Sequence, residues 1–271
     1  MVKTTMPEKW VSAGKIAAEL SRGLTIYSRQ RTWLLADLIQ WPFWIIFFFL
    51  AILVYAPSYL GDVEVMKAIS YSFFVFIFVS SFMWNATSLP LEAQMGVVEQ
   101  LVLTKTPISI HLVSRMVVTA ADIAVGGLAL LLLSSLFFGA DISIAKPLNF
   151  AAYLAIAFIF FLFFSSIVST LLLSVKSPWI VTNILQFVVP FSSGAIPVHL
   201  LPPEAAAIVS ASPFFYILHP IVASATGLFY LPEAQLFVGA VAATAMVAVL
   251  SVFAEKYLMR RALRTGRLAV L

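Results

Sequence analysis

Long apolar runs, separated by shorter polar segments, fill the chain from about residue 38 onward. Each run has about 18 residues or more, which lets a helix cross a hydrocarbon layer of about 30 Å. Lipid offers no partners for backbone N–H and C=O groups, so helices are the expected spanning structure. The pattern predicts an all-α integral membrane protein with six transmembrane helices, at residues 38–59, 69–89, 113–138, 150–175, 179–196 and 236–258.

Residues 1–37, ahead of the first run, are polar and basic but carry an apolar repeat with helical spacing. The apolar positions are Ala13, Ile16, Ala17, Leu20, Leu24 and Tyr27. Polar side chains fall on the other side of the helix, among them Lys15, Glu19 and Arg22. Two interpretations fit: an amphipathic helix lying on the inner membrane surface, or a solvated helix packed on a partner. The first is favoured by tryptophans that resemble interfacial anchors, namely Trp10, Trp33 and Trp41.

The link between the fifth and sixth predicted spans, residues 197–232, is apolar and contains no Lys or Arg. Its two apolar pieces, 204–210 and 214–226, are each too short to cross a membrane. Prolines bound the two pieces, at Pro202, Pro203 and Pro213. We predict a re-entrant or interfacial helical hairpin on the outer side, which is allowed only where the backbone packs on protein or lines water.

Lys and Arg are distributed unevenly among the segments that connect the predicted spans. Of the 16 Lys and Arg, 14 fall in or within three residues of the N-terminal segment, the C-terminal tail and the turns after the second and fourth spans. Because Lys and Arg accumulate on the cytoplasmic side, we predict a multi-pass protein of the cell membrane with both termini cytoplasmic. The plan has three parts: a cytoplasmic connecting-helix region at 1–37, a six-helix transmembrane domain at 38–258 and a basic cytoplasmic tail at 259–271.

The amino-acid composition supports the membrane assignment and excludes the kinds of site that need cysteine. Hydrophobic residues make up 62% of the 271 residues and charged residues 10%, whereas soluble domains have about 25% charged residues. The net charge of +4 follows from the basic cytoplasmic segments, so we expect membrane lipids and no nucleic acid as partners. Cysteine is absent, which excludes disulfides, cysteine-ligated metals and thiol catalysis.

Sequence motifs of several common catalytic sites are missing. No GxxxxGK[ST] segment occurs, so the chain has no P-loop for ATP phosphates, and neither HExxH nor GxSxG occurs. The three histidines are widely spaced, and we predict neither a metal site nor a cofactor in this chain. An intramembrane enzyme would need clustered His, Asp or Glu at membrane depth. We therefore expect no enzymatic activity from the chain alone.

Three polar residues inside the predicted spans are candidates for a pathway. Asp122 lies in the third span, and Asn183 and Gln186 lie in the fifth. Intramembrane carboxylates are costly and often mark transport paths or proton relays. The alternative for Asp122 is a hydrogen bond to Ser or Thr on a neighbouring helix, and the two amides either line a pathway or join helices. Both interpretations stay open from the sequence.

The segment between the second and third spans, residues 89–115, mixes carboxylates with apolar residues. Its marked positions are Glu92, Gly96, Glu99, Leu101 and Thr104. The pattern suits a short helix lying across the inner interface, with its carboxylates available to a cytoplasmic partner. Pro107 is expected to break this element or to begin the next one.

This segment resembles the cytoplasmic loop of the ABC-2 family, the membrane subunits of ABC exporters. The family pattern of an acidic run, glycine, glutamate, leucine and a Ser/Thr-Pro pair is matched at Glu92, Gly96, Glu99, Leu101 and Thr104. Val97 stands where the family has threonine, and Lys105 stands where proline is expected after Thr104. A second similarity covers the family's run after a broken fifth span, at Pro190, Ser193, Gly194, Pro197, Pro202, Pro213 and Tyr216.

The resemblance implies a permease, the membrane half of an ATP-driven exporter that pairs as a homodimer or with a paralogue. A separate nucleotide-binding ATPase subunit would bind ATP and Mg²⁺, and residues 89–107 would form the coupling helix that seats on it. A pathway with few charges suits an amphipathic, hydrophobic or lipid-linked substrate. The alternative is a gradient-driven secondary transporter or channel without an ATPase, from which we would expect more intramembrane charge or internal repeats.

Overall fold

The computed structural model describes residues 13–29, 62–104, 106, 108–173 and 175–265, together with scattered positions between 32 and 54. Every α-helix, turn and loop discussed below lies in these residues. Most of the first predicted span, 38–59, falls outside them. Pro107 and residues 266–271 of the predicted basic tail also lie outside the described residues.

The described residues form nine α-helices and one short 3₁₀ turn, Val198–Leu200. In chain order the α-helices are α1 Ala13–Arg29, α2 Val63–Gln94, α3 Val97–Leu103, α4 Ile108–Phe138, α5 Pro147–Leu172, α6 Pro178–Phe191, α7 Pro203–Ser210, α8 Phe215–Thr226 and α9 Glu233–Thr265. Helix α9 therefore continues into the predicted tail.

Four of these helices, α2, α4, α5 and α9, are long and apolar enough to cross a membrane. Helices α7 and α8 pass the same test together but are bent by 118° at their break, as in a broken span or a re-entrant loop. Within the described residues the chain thus has four or five candidate spans, and it is an all-α membrane protein. The sixth span and the membrane position of the bent pair stay predictions.

Helix α6 occupies the place of the fifth predicted span but has only 14 residues, a length of roughly 21 Å at 1.5 Å per residue. The helix ends at Phe191 because the backbone turns at Gly194, whose φ of 66° is left-handed. Pro203 then begins α7, a position that tolerates the missing N–H of proline. Pro202 precedes it, and Pro213 stands between α7 and α8.

Helix α2 forms the centre of the bundle and contacts α4, α5, α6 and α8. Its fully buried Phe78 and Phe82 rings meet Phe161 of α5 at centroid distances of 5.6 and 5.4 Å. Across the same interface, Ser169 Oγ donates to the carbonyl oxygen of Ala86 at 2.9 Å. Small polar residues on α5 let the two helices approach closely, as is typical of membrane helix pairs.

Helix α1 packs along the first turns of α4 through its polar side. At the closest approach, a Cβ atom on Gly23 would come within 2.2 Å of the Ser114 carbonyl oxygen. The opposite side of α1 is apolar and exposed, with Leu24 58% accessible. A helix with its polar side on the protein and its apolar side outward suits a membrane interface. The position of α1 at a membrane interface stays a prediction.

The end of the bundle remote from α1 is closed by ion pairs and hydrogen bonds between loops and helix ends. Lys67 of α2 contacts Asp141 in the α4–α5 loop at 2.7 Å, and Lys146 contacts Glu233 at the start of α9. Hydrogen bonds from Lys67 and Ser143 hold the pKa of Asp141 well below its usual range. This end therefore has connections that do not depend on apolar packing.

Candidate functional site

A cleft of about 670 Å³ runs along one side of α2. Its α2 lining recurs at helical spacing, with Phe76, Ser80, Trp84, Ser88 and Leu91 as successive members. From Phe76 to Leu91 this stripe is roughly 22 Å long at 1.5 Å per residue. The stripe mixes aromatic and small polar side chains. A cleft of this size is in the range of sites that hold small molecules.

Helices α4 and α6, which both pack on α2, supply the walls of the cleft. From α4 come Arg115, Val118, Thr119 and Asp122, and from α6 come Trp179, Asn183, Gln186 and Phe187. Both sets follow three-to-four-residue spacing, so each forms a stripe on one helical face. The structure therefore brings together the three intramembrane polar residues singled out in the sequence, Asp122, Asn183 and Gln186.

The two predicted amides differ in what they contact. Gln186 is buried, accepts a hydrogen bond from Ser80 Oγ at 3.0 Å and donates to Asn183 Oδ1 at 2.8 Å. The hydroxyl groups of Thr87 and Thr182 lie 2.6 Å apart in the same interface. Gln186 therefore joins α2 to α6, which is the helix-tying role, whereas Asn183 is exposed along the cleft.

Aromatic rings and an unpaired amide also line the cleft. The Trp84 and Trp179 rings lie 5.3 Å apart, tilted by 52°, and both are more than 40% exposed. Asn85 is only 7% exposed, yet its Nδ2 has no hydrogen-bond partner among the described residues. The pathway prediction from the sequence did not include Trp84 and Trp179. The polar run from Ser80 to Ser88 at helical spacing could have identified this face of α2.

One end of the cleft meets a buried charge cluster centred on Glu92, which is 2% exposed. Glu92 Oε1 accepts a hydrogen bond from Arg115 Nη2 and lies 3.7 Å from Arg22 Nη2. Glu92 Oε2 lies 2.5 Å from His111 Nε2. A buried carboxylate needs such partners because an unpaired charge away from water is very costly.

The proton position on His111 follows from its two contacts. Arg22 Nη1 lies 2.9 Å from His111 Nδ1, and a guanidinium group can only donate. Nδ1 is therefore the acceptor, and Nε2 carries the hydrogen that points at Glu92. Glu19 completes the cluster, 3.5 Å from Arg22 and 3.6 Å from His111 Nδ1. The cluster joins α1, α2 and α4 at one place.

The burial of Glu92 corrects the expectation that its carboxylate is available to a cytoplasmic partner. Its two oxygens are engaged by side chains of the chain itself, because α1 and α4 close over the end of α2. Glu99, by contrast, lies in the first turn of α3 and is partly exposed. Its Oε2 is nevertheless buried and has no hydrogen-bond partner among the described residues.

The other marked positions of this segment shape and anchor α3. Gly96 has a φ of 75° in the turn that joins α2 to α3, a conformation that favours glycine. Leu101 is buried in a small cluster with Leu89 and Leu112. Thr104 is exposed, and its carbonyl oxygen accepts a hydrogen bond from Lys15 of α1 at 3.0 Å. Helix α3 is thus connected to α1, α2 and α4.

No protein-family model matches the chain, and no curated protein is significantly similar to it. Within the described residues, no group of three or more His, Asp or Glu side chains is placed to hold a metal ion. The interpretation of the site therefore depends on its geometry and on the sequence pattern.

Proposed function

We propose that this chain is the permease subunit of an ATP-driven exporter of the ABC-2 type, and that the α2 cleft belongs to its substrate pathway. The observation that carries the proposal is that Glu92 belongs both to the cleft and to the buried charge cluster. This carboxylate lines the cleft and also holds the charge cluster that connects α1 and α4 to α2. A movement imposed on α1 would reach the cleft through these contacts.

In this proposal α3 is the coupling helix and faces a separate ATPase subunit that binds ATP and Mg²⁺. Its surface suits a protein partner, because Leu103 on α3 and Met95 in the turn before it are 81% and 70% exposed. ATP binding would act on the permease only by favouring one of its conformations through differential contact free energy. The turn at Gly96 and the buried side chain of Leu101 would fix how α3 is oriented toward the ATPase subunit.

The proposed topology places α1 and α3 in the cytoplasm and the α4–α5 loop outside. Residues 38–59 and α6 would be the first and fifth spans, and α9 the sixth. The bent pair α7–α8 would be a re-entrant hairpin on the outer side, supported by its 118° bend and its short helices. Two copies, or one copy and a paralogue, would pair so that two clefts flank one pathway in the cell membrane.

Substitution of Glu99 tests the coupling role. Glu99→Ala removes a partly exposed side chain whose Oε2 is buried and has no hydrogen-bond partner among the described residues, so insertion should be unchanged and stability should not fall. Substrate-stimulated ATPase activity of the assembled complex should fall several-fold. Glu204→Ala, in the exposed first turn of α7, is the matched control and should behave as the unsubstituted protein. Full transport by Glu99→Ala would contradict the coupling assignment.

A gradient-driven carrier is the second candidate function, and the position of Asp122 in the cleft favours it. A carboxylate at membrane depth can take up and release a proton during transport. Proteoliposomes that contain this chain alone separate the two candidates. Accumulation of substrate under a proton gradient without ATP would support the carrier, and dependence on an ATPase subunit would support the exporter.

A further inference from the structure

We propose that the cleft binds an electrically neutral, largely apolar ligand through its oxygen acceptors, with Asn85 Nδ2 and Arg115 Nε as the donors. The inference rests on the proposed function only in taking the cleft as a substrate site, and it names the chemical class of that substrate. Three features of the cleft carry it: two donors without partners, charges that are already compensated, and an exposed aromatic wall.

The two donors without partners are the first feature. Asn85 and Arg115 both line the cleft. Asn85 Nδ2 and Arg115 Nε are buried and have no hydrogen-bond partner among the described residues. Both atoms carry hydrogen and can only donate. A buried donor without a partner is costly, and an acceptor that reaches it removes that cost. The cleft lining therefore lacks acceptors, which carbonyl, ether or ester oxygens of a ligand would supply.

The two donors lie at different places along the cleft. Arg115 donates to Glu92 at one end, and Asn85 precedes Glu92 on α2 by two helical turns, a rise of roughly 10 Å. A ligand with more than one oxygen acceptor would therefore reach both donors. Because both nitrogen atoms are covered, acceptors reach them as the covering side chains move aside. Such an induced fit is favoured when the donors gain partners only in the bound state.

The compensated charges are the second feature. The charged side chains in the described lining are Glu92, Arg115 and Asp122. Arg115 and Glu92 are joined by a hydrogen bond, and Asp122 also has an interaction within the protein. The described lining thus offers no uncommitted charge of either sign to a ligand. Recognition by hydrogen bonds to a neutral molecule leaves these pairs intact, whereas a buried ion of either sign would need compensation of its own.

The aromatic wall is the third feature. Trp84 on α2 and Trp179 on α6 have ring centroids 5.3 Å apart and are 43% and 42% exposed. Exposed tryptophan rings offer a large apolar area to a ligand. Asn85 follows Trp84 directly in the sequence, and both line the cleft, so an acceptor on a body that packs on the tryptophans meets Asn85 first. The volume of about 670 Å³ fits a drug-sized molecule.

Binding of triphenylphosphine oxide to the full chain in lipid nanodiscs tests this inference. Its oxygen is a strong acceptor on a neutral body of three rings. Triphenylmethane has the rings without the acceptor, methyltriphenylphosphonium carries a positive charge instead, and triphenylacetate carries a negative charge. Empty nanodiscs give the partition of each compound into lipid. We expect saturable binding of the phosphine oxide, roughly tenfold weaker binding of the hydrocarbon and the phosphonium, and no tighter binding of triphenylacetate.

Two substitutions remove the proposed donors one at a time. Asn85→Leu removes Nδ2 and should weaken binding of the phosphine oxide by about threefold to tenfold. Its thermal midpoint should not fall, because no described hydrogen bond of Nδ2 is lost; a purely structural amide would give the opposite pattern. Arg115→Lys keeps a positive charge opposite Glu92 and removes Nε. Combined with Asn85→Leu, it should reduce the affinity to that of triphenylmethane.

Two control variants carry matched changes away from the cleft. Gln235→Leu removes an exposed amide at the start of α9, and Arg29→Lys changes an exposed guanidinium at the end of α1. Both should bind the phosphine oxide as the unsubstituted chain does. Equal binding of triphenylmethane, tighter binding of either ion, or unchanged affinity in Asn85→Leu would overturn the inference.

The experiment uses the chain alone, so its outcome is independent of any ATPase subunit. Failure of the phosphine oxide to bind would contradict this inference and leave the exporter assignment in place with another substrate class. Acceptor-dependent binding in a chain that has no ATPase partner would instead sustain this inference and contradict the proposed exporter.

Discussion

The Glu92 carboxylate is nearly inaccessible to solvent and contacts three basic side chains from two other helices, namely Arg22, His111 and Arg115. Removing one partner from a buried ion pair is far more destabilising than the net value of the pair, because the remaining charges lose their compensation. Glu92 is therefore the residue at which the stability of the bundle and the geometry of the cleft are connected.

Glu92→Gln keeps the shape of the side chain and removes its charge. We expect a loss of about 3 kcal/mol in the free energy of unfolding in mixed micelles, since Arg115 and Arg22 would then face a neutral amide. Glu64→Gln, exposed in the first turn of the same helix, should change stability by less than about 0.5 kcal/mol. Equal effects of the two substitutions would show that the cluster does not stabilise the fold.

Gly23 is the second residue with a clear test. A Cβ atom at this position would meet the Ser114 backbone, which cannot move away as a flexible side chain could. Gly23→Ala should therefore separate α1 from α4 and destabilise the protein by about 1–3 kcal/mol, the usual cost of overpacking. Gly14→Ala, exposed on the same helix, should be neutral or stabilising because alanine favours helix. A well-folded Gly23→Ala variant with unchanged thermal midpoint would contradict the packing of α1.

At the scale of elements, the length of an apolar run predicted a helix well wherever a single helix covers the whole run. The spans predicted at 69–89, 113–138, 150–175 and 236–258 correspond to α2, α4, α5 and α9. Helices α2, α4 and α9 are longer than their predicted spans, because polar end residues continue each helix beyond its apolar run. Helix α5 has 26 residues, as many as its predicted span, but begins and ends three residues earlier. The fifth span was less predictable, since the left-handed turn at Gly194 ends the helix before the apolar run ends.

The candidate site was predictable only in part, because hydropathy does not tell which helices are neighbours. Asp122, Asn183 and Gln186 were selected as polar residues in apolar runs, and the packing of α4 and α6 on α2 places them around one cleft. The burial of Glu92 was not predictable, since its partners Arg22 and His111 are distant in the sequence.

At the scale of the whole molecule, the proposed topology makes a prediction that the absence of cysteine allows to be tested cleanly. Thr104→Cys at the end of α3 and Ser143→Cys in the α4–α5 loop are both exposed and lie at opposite ends of the bundle. In intact cells a membrane-impermeant maleimide should label only Ser143→Cys, and in inside-out vesicles only Thr104→Cys. The reversed pattern would contradict the assigned orientation.

The central claim is that this membrane subunit works with a separate ATPase. Purification of the chain from its native membrane in mild detergent, followed by identification of stoichiometric partners, tests it most directly. The account predicts a co-purifying subunit with a P-loop sequence and ATPase activity that depends on an intact Glu99. A homo-oligomer with no nucleotide-binding partner in several detergents would contradict the account and leave a gradient-driven carrier or channel.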